Sequence, residues 1–219
     1  MEKKIVMVTG ATSGIGEACA RKFASGGYNV IITGRRGEKL DALRQELESM
    51  GAEVLAMQFD VRERESARKA VDFLKGKWAK IDVLINNAGL ALGLDKEYEG
   101  DFNDWDTMID TNIKGLLNMT RFVVPGMVER NEGHVINIGS VAGDAAYANG
   151  NVYCATKAAV KALSDGLRID VAESDVRVTN LKPGLVQTNF SNVRFHGDDA
   201  RAESVYKGVK PLTGDDIAD

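Results

Sequence analysis

Six short, mostly apolar runs rich in β-branched residues recur along the chain, at Ile5–Thr9, Asn29–Thr33, Glu53–Gln58, Val83–Asn86, His134–Ile138 and Arg177–Leu181. The longer segments between them, Gly14–Ser25, Glu38–Met50, Arg64–Lys77, Asp104–Glu129 and Val152–Glu173, carry helix-type spacing and are long enough for crossover helices. The strand runs are continuously apolar rather than alternating, as expected where helices cover both faces of a parallel sheet. This alternation predicts an α/β chain with a doubly wound parallel sheet, helices on both faces, and a single domain spanning 1–219. The polar stretch 187–211 lacks a sustained period and is expected to be a long loop or short-helix lid. Thr213 to Asp219 reads as a helix beginning where the chain stops, so the C-terminus is expected to be incomplete.

Composition narrows the function classes. A hydrophobic content of 44% supports one sizeable core, and a net charge of −4 argues against general nucleic-acid binding. Cys19 and Cys154 are too few for a disulfide scaffold or a metal cluster, so no metal site is expected and a reducing cytoplasm fits best. The thiol of Cys154, next to Tyr153, is expected to serve packing. Met1-Glu2-Lys3-Lys4 leads straight into an apolar run too short for a signal peptide or a membrane span.

Directly after the first strand lies Thr9-Gly10-Ala11-Thr12-Ser13-Gly14-Ile15-Gly16, opening a helix. Such a loop presents unpaired backbone N–H groups and a helix dipole to a pyrophosphate. Gly10 permits the tight turn, while Gly14 and Gly16 allow close approach of cofactor and strand. The second strand ends in Thr33-Gly34-Arg35-Arg36, where a NAD site would usually place an acid for the ribose hydroxyls. Two guanidinium groups at a helix N-terminus favour an anion beside them, and a 2′-phosphate would be that anion, so NADP is expected over NAD; ordinary surface arginines are the alternative. Asp60, after the third strand, reads equally as a partner for the adenine amine or as a helix cap.

Tyr153 and Lys157 stand four apart on one face of a helix. The lysine charge is expected to favour phenolate and lower the tyrosine pKa, which suits a general acid/base. Tyr206 and Lys210 repeat the spacing without a supporting motif. Ser140 follows the fifth strand, where its hydroxyl can bond a reacting oxygen. Asn86-Asn87-Ala88-Gly89 follows the fourth strand, and Asn87 is expected to brace the sheet beside the cofactor. Asn112 lies inside a helix, where asparagine is a poor former; taken alone it is expected to face solvent, or else to hold a water beside Lys157 through its carbonyl or a local kink.

Together, the glycine loop, Asn-Asn-Ala-Gly, the Ser…Tyr-x-x-x-Lys set and Pro183-Gly184 resemble the short-chain dehydrogenase/reductase family across essentially the whole chain. That resemblance implies a Rossmann-type fold and an oxidoreductase acting on CH–OH groups. It also implies Ser140 orienting the carbonyl, Tyr153 passing the proton, Lys157 binding the nicotinamide ribose and Asn112 completing a proton relay. Cofactor contacts are implied at Gly10, Thr12, Ser13, Gly14, Ile15, Gly16, Arg35, Arg36, Asp60, Val61, Asn87, Ala88, Gly89, Tyr153, Lys157, Pro183, Gly184, Val186 and Thr188. The runs 86–93, 125–131 and 191–198 look like those of bacterial NADP-dependent 3-hydroxy acid dehydrogenases, the group related to serine and allo-threonine dehydrogenases and malonic semialdehyde reductases. The family is commonly tetrameric, and the chain ends about thirty residues short of its usual domain size.

The expected reaction is interconversion of a small 3-hydroxy acid (serine, allo-threonine, 3-hydroxyisobutyrate or 3-hydroxypropionate type) and its 3-oxo form, in a cytoplasmic homotetramer. Arg194 in the lid is expected either to pair with the substrate carboxylate or to be a lid-surface or subunit-contact cation. A broad carbonyl or 3-oxoacyl thioester reductase shares every catalytic residue, and an NADP-binding module without turnover is a third possibility.

Overall fold

A computed structural model describes residues 3–219; Met1 and Glu2 of the expected lead-in lie outside the described residues. Strands β1 (Ile5–Val8), β2 (Asn29–Gly34), β3 (Val54–Gln58), β4 (Val83–Asn86), β5 (Gly133–Ile138) and β6 (Val176–Leu181) form one parallel sheet in the order β3-β2-β1-β4-β5-β6. The chain builds outward from β1 to β3, then returns to place β4 on the other side of β1. The crevice at the carboxyl ends of β1 and β4 is therefore the topological switch point, where a doubly wound sheet binds its ligand.

Burial explains the unbroken apolar runs. Ile5 and Met7 of β1 point to one face, where Ile31, Leu84 and Val135 meet Met119, Val123 and Met127 of helix α5 (Leu116–Glu129). Val6 and Val8 point to the other, packing with Val30, Ile32, Val83 and Ile85 against Ala20 and Ala24 of α1 (Gly14–Ser25) and Leu40, Leu43 and Leu47 of α2 (Gly37–Ser49). Each fully buried side chain of this size contributes about 1.5–3 kcal/mol. With both faces covered, the sheet has no polar side to alternate with.

Two helices depart from expectation. The segment expected to be helical over Arg64–Lys77 is α3 (Arg64–Asp72), followed by a short 3₁₀ turn at Gly76–Ala79. Gly76 adopts φ +57, a left-handed conformation that a continuing helix cannot contain. The expected Asp104–Glu129 helix is α4 (Phe102–Ile109), capped by the Asp101 side chain, then a π-helical stretch Asp110–Gly115, then α5. A π insertion of this kind re-aims the side chains on it. Helix α6 (Asn151–Asp170) carries Tyr153 and Lys157. Beyond β6 come three short helices, α7 (Phe190–Arg194), α8 (Asp199–Ser204) and α9 (Gly214–Ala218). The capping box of Thr213 and Asp216 opens α9, which packs on α1. No helix of the described residues is long and apolar enough to cross a membrane.

Candidate active site

A cleft of about 1000 Å³ opens over the switch point, floored by the strand ends and roofed by α7 and α8. It is lined by Gly10, Thr12, Ser13, Gly14, Ile15, Arg35, Arg36, Asp60, Val61, Asn87, Ala88, Gly89, Ser140, Tyr153, Lys157, Pro183, Gly184, Val186, Thr188 and Arg194. Of the expected catalytic, cofactor-binding and substrate-binding residues, Gly16 and Asn112 alone stand behind that surface, and both support it.

The glycine loop is held from β4. Asn87 Nδ2 donates to the carbonyls of Thr9 (2.9 Å) and Gly10 (3.1 Å), and the N–H groups of Asn87 and Ala88 donate to Thr9 Oγ1. A Cβ on Gly16 would lie 2.3 Å from Asn87 Nδ2, so this brace exists only because Gly16 has none. Gly10 takes φ +64, and a Cβ there would lie 2.9 Å from Ala88 Cα. The Thr9 hydroxyl, absent from the sequence-based site, is a structural keystone; only its place before Gly10 marks it.

This loop fits a dinucleotide. The N-cap of α1, Ser13, makes no side-chain capping bond, and neither does Arg36 at the N-cap of α2. Both helices therefore present first-turn N–H groups without side-chain caps beside the cleft. Arg36 donates to Thr12 Oγ1 (2.7 Å), the Thr12 carbonyl (3.2 Å) and Ser13 Oγ (3.0 Å), fixing a cation in the loop. Arg35 is largely exposed, with only a 4.0 Å contact to Asp60.

Asp60 is not a helix cap: the N-cap of α3 is Glu63. Its carboxylate instead accepts from the Arg62 backbone (3.0 Å) and guanidinium (2.7 and 2.9 Å). Burial by itself would raise the Asp60 carboxyl, but the Arg62 bonds outweigh it and hold the group below the usual range.

At the other end of the cleft, Lys157 is 7% exposed, and its ammonium donates to the Ile138 carbonyl at 2.8 Å. It lies 5.9 Å from the Tyr153 ring centre. The Tyr153 pKa is raised, not lowered as the helical spacing leads one to expect. Burial pushes the phenol up to about 12, against hydrogen bonding with Ser140 and the charge of Arg194, which both pull it down. The lysine is itself desolvated, and burial drops its ammonium to about 8. Ser140 also accepts from the Ala142 N–H at 3.1 Å, which orients its hydroxyl group at the end of β5.

Asn112 does not face solvent. It is 2% exposed, and the π-helical stretch turns its side chain inward, where Nδ2 donates to the Leu90 carbonyl (2.8 Å) and Thr156 Oγ1 (3.0 Å) while Oδ1 accepts from the Leu90 N–H (2.8 Å). The amide thus ties the loop after β4 to α6 at Thr156, the residue next to Lys157. Nor is Arg194 a surface cation. It is 9% exposed, with Nε donating to the Gly93 carbonyl (2.9 Å), Nη1 donating to the Tyr147 hydroxyl (2.8 Å), and the guanidinium carbon 5.8 Å from the Tyr153 ring centre. Tyr147 and Phe190, the latter packed edge-on against Tyr153 at 5.7 Å, went unnoticed in the sequence because neither carries a motif. Cys154 is buried and free.

Residues 4–199 match the family described as short chain dehydrogenase. The chain is 55% identical over 216 residues to an NADP-dependent 3-hydroxy acid dehydrogenase of Salmonella typhi, covering 98% of this chain and 86% of that one. It is 46% identical to a serine 3-dehydrogenase of Rhizobium radiobacter over 97% of this chain and 84% of the relative. Its fold superposes on the closed form of a serine dehydrogenase complexed with NADP⁺ with a TM-score of 0.94, at 52% identity, covering 98% and 86% of the two chains. Family match, identity and superposed fold agree, and the chain belongs to the short-chain dehydrogenase family.

Proposed function

We propose that this protein is an NADP-linked oxidoreductase interconverting a small 3-hydroxy acid and its 3-oxo form. The observation that carries the reading is Arg194. A guanidinium buried beside Tyr153 has no acidic partner among the described residues, and Asp60, at the opposite end, is the one acid lining the cleft. A buried unpaired cation is costly unless an anion joins it, and a substrate carboxylate beside the reacting carbon would be that anion. The relatives named for 3-hydroxy acid and serine oxidation support the same substrate class.

The cofactor would be held by the uncapped N-terminus of α1, by Asn87, Ala88 and Gly89, and by Pro183, Gly184, Val186 and Thr188, whose methyl group would lie 3.1 Å from a Cβ on Gly14. Arg35 and Arg36 would take the 2′-phosphate, Asp60 and Val61 the adenine. When bound, the nicotinamide supplies the hydride acceptor or donor. Ser140 bonds the reacting oxygen, and Tyr153 gives or takes its proton. The phenol, pushed up to about 12 by burial, is protonated at neutral pH, so Tyr153 stands ready to donate to the oxygen of a carbonyl being reduced. Lys157, charged below about pH 8, binds the ribose and assists that transfer, and Asn112 positions the helix turn behind it. Residues 187–211 act as the lid that excludes water, and we extend the reading to a cytoplasmic homotetramer.

The test is absorbance of the reduced nicotinamide with NADP or NAD and serine, allo-threonine, 3-hydroxyisobutyrate or 3-hydroxypropionate. Reduction of NADP with at least one of these acids is the expected outcome. Tyr153→Phe should abolish that turnover while retaining NADP binding. Equal use of NAD, no turnover with any of the acids, or a fully active Tyr153→Phe protein would each refute part of the proposal.

A further inference from the structure

Tyr147 stands outside every motif, yet the chain is shaped around it. Its carbonyl accepts from the Gly150 N–H at 3.0 Å, closing a turn in which Asn149 takes φ +63. A Cβ on Gly150 would lie 2.2 Å from the Tyr147 ring, so the ring occupies space that only glycine leaves open. The turn thereby presents the ring at the wall of the cleft, just before α6, while Arg194 reaches it from the lid helix α7.

The hydrogen bonding between them has a direction. Arg194 has only protons to give, so the Tyr147 oxygen accepts from Nη1, and the phenolic proton remains available to a third group. Arg194 Nε is spent on the Gly93 carbonyl, and the Gly93 N–H in turn donates to the Arg194 carbonyl at 3.0 Å. This reciprocal pair pins the lid to the loop after β4 and leaves Nη2 without a protein acceptor among the described residues. The guanidinium carbon lies 5.5 Å from the Tyr147 ring centre and 5.8 Å from that of Tyr153. One cation is therefore flanked by two tyrosines, of which one is the proposed proton donor.

We propose that Tyr147 and Arg194 form a single two-armed carboxylate site, the guanidinium supplying charge and the Tyr147 hydroxyl a further donor. This rests on the hydroxy-acid reading above and deepens it: Tyr147 becomes a specificity-determining residue that selects an anionic over a neutral substrate. Hydrogen bonds to a charged group are the strong ones, and a second donor at an angle to the guanidinium also fixes where the carboxylate sits relative to Tyr153. Because Arg194 belongs to the lid and Tyr147 to the wall, an anion bound to both favours the docked lid over an open one.

The experiment uses Tyr147→Phe, which keeps the ring over Gly150 and removes only the hydroxyl group, and Gly150→Ala, whose Cβ would displace the ring. Propionate is titrated as an inhibitor against whichever carbonyl substrate the enzyme reduces, acidic or neutral, and kcat and KM are measured for a 3-oxo acid and for a neutral ketone of similar size. In the wild type, propionate is expected to compete with the substrate. In both variants its inhibition constant is expected to rise about tenfold or more, and the preference for acid over ketone to fall by a similar factor, mainly through KM. Inhibition of the wild type by propionate, weakened in the variants, would support the anion site even if no hydroxy acid were turned over, which separates this proposal from the functional reading. Absence of propionate inhibition in the wild type would overturn it. So would an equal loss toward acid and ketone in Tyr147→Phe, because the hydroxyl would then only hold the lid. Thermal melts of both variants accompany the kinetics, and for a destabilised Gly150→Ala protein the Tyr147→Phe result decides.

Discussion

Replacing Lys157 with methionine is expected to stabilise the cofactor-free protein at neutral pH while abolishing turnover. Burial pushes the Lys157 ammonium from 10.5 down to about 8. At roughly 1.4 kcal/mol per pH unit, holding the lysine charged below pH 8 costs the native state about 3 kcal/mol. Methionine retains most of the stem and removes the ammonium, but it deprives the Ile138 carbonyl of its donor, at about 1 kcal/mol. A net gain of about 1–3 kcal/mol follows, which in a protein of this size raises Tm by several degrees. The pH dependence distinguishes this cause from better packing. Between about pH 8 and 10.5 the unfolded chain carries the lysine proton and the native protein does not, so wild-type stability rises with pH through that window. Below pH 8 both states are protonated and the penalty is constant. The advantage of Lys157→Met should therefore be largest near pH 7 and shrink toward pH 10. Denaturant unfolding of both proteins at pH 7, 8.5 and 10 measures it directly. A variant less stable than wild type at pH 7, or an advantage unchanged at pH 10, would refute the reasoning.

Four further outcomes are expected. Gly16→Ala would force a Cβ to within 2.3 Å of Asn87 Nδ2 and 2.7 Å of the Gly10 carbonyl; melts should show a loss of about 1–3 kcal/mol, and fluorescence titration a weaker hold on NADP. Asn112→Leu removes three buried hydrogen bonds and orphans both backbone groups of Leu90, so denaturant unfolding should show a loss of roughly 2–4 kcal/mol. Arg36→Ala should lower the ratio of NADP to NAD efficiency by roughly tenfold or more, read from kcat/KM with each cofactor. With the Tyr153 phenol near 12, the phenolate fraction grows as pH rises, so alcohol oxidation should accelerate from pH 6 to 8, the range in which Lys157 keeps its charge; a flat profile would contradict the assigned base.

The parts of the protein legible in the chain alone were those encoded locally. Apolar runs of strand length, spaced by helical segments, specify a sheet covered on both sides, because an unbroken β-branched run has no polar face to leave in water. Gly10 and Gly14 declared the loop, because a left-handed turn packed against the segments after β4 and β6 excludes a Cβ. Tyr153 and Lys157 declared their shared helix face through a spacing of four. Even the last helix was announced by Thr213 and Asp216, whose capping box is a four-residue matter.

What tertiary structure alone decided depends on groups brought from far along the chain. Asn112 is an unfavourable helix residue until Leu90 and Thr156 close around it and the backbone takes a π turn to meet them. Arg194 is one charged residue in a polar lid until Gly93 and Tyr147, 101 and 47 residues earlier, hold it as a buried cation of the cleft. The Tyr153 pKa is the plainest instance. Helical spacing predicts a neighbouring charge, but it says nothing about how much water the fold removes from either group, and at Tyr153 desolvation outweighs the Ser140 hydrogen bond and the Arg194 charge. Periodicity and backbone sterics act over a few residues and can be read from them; burial is a property of everything that packs around a group, and exists only once the chain has folded.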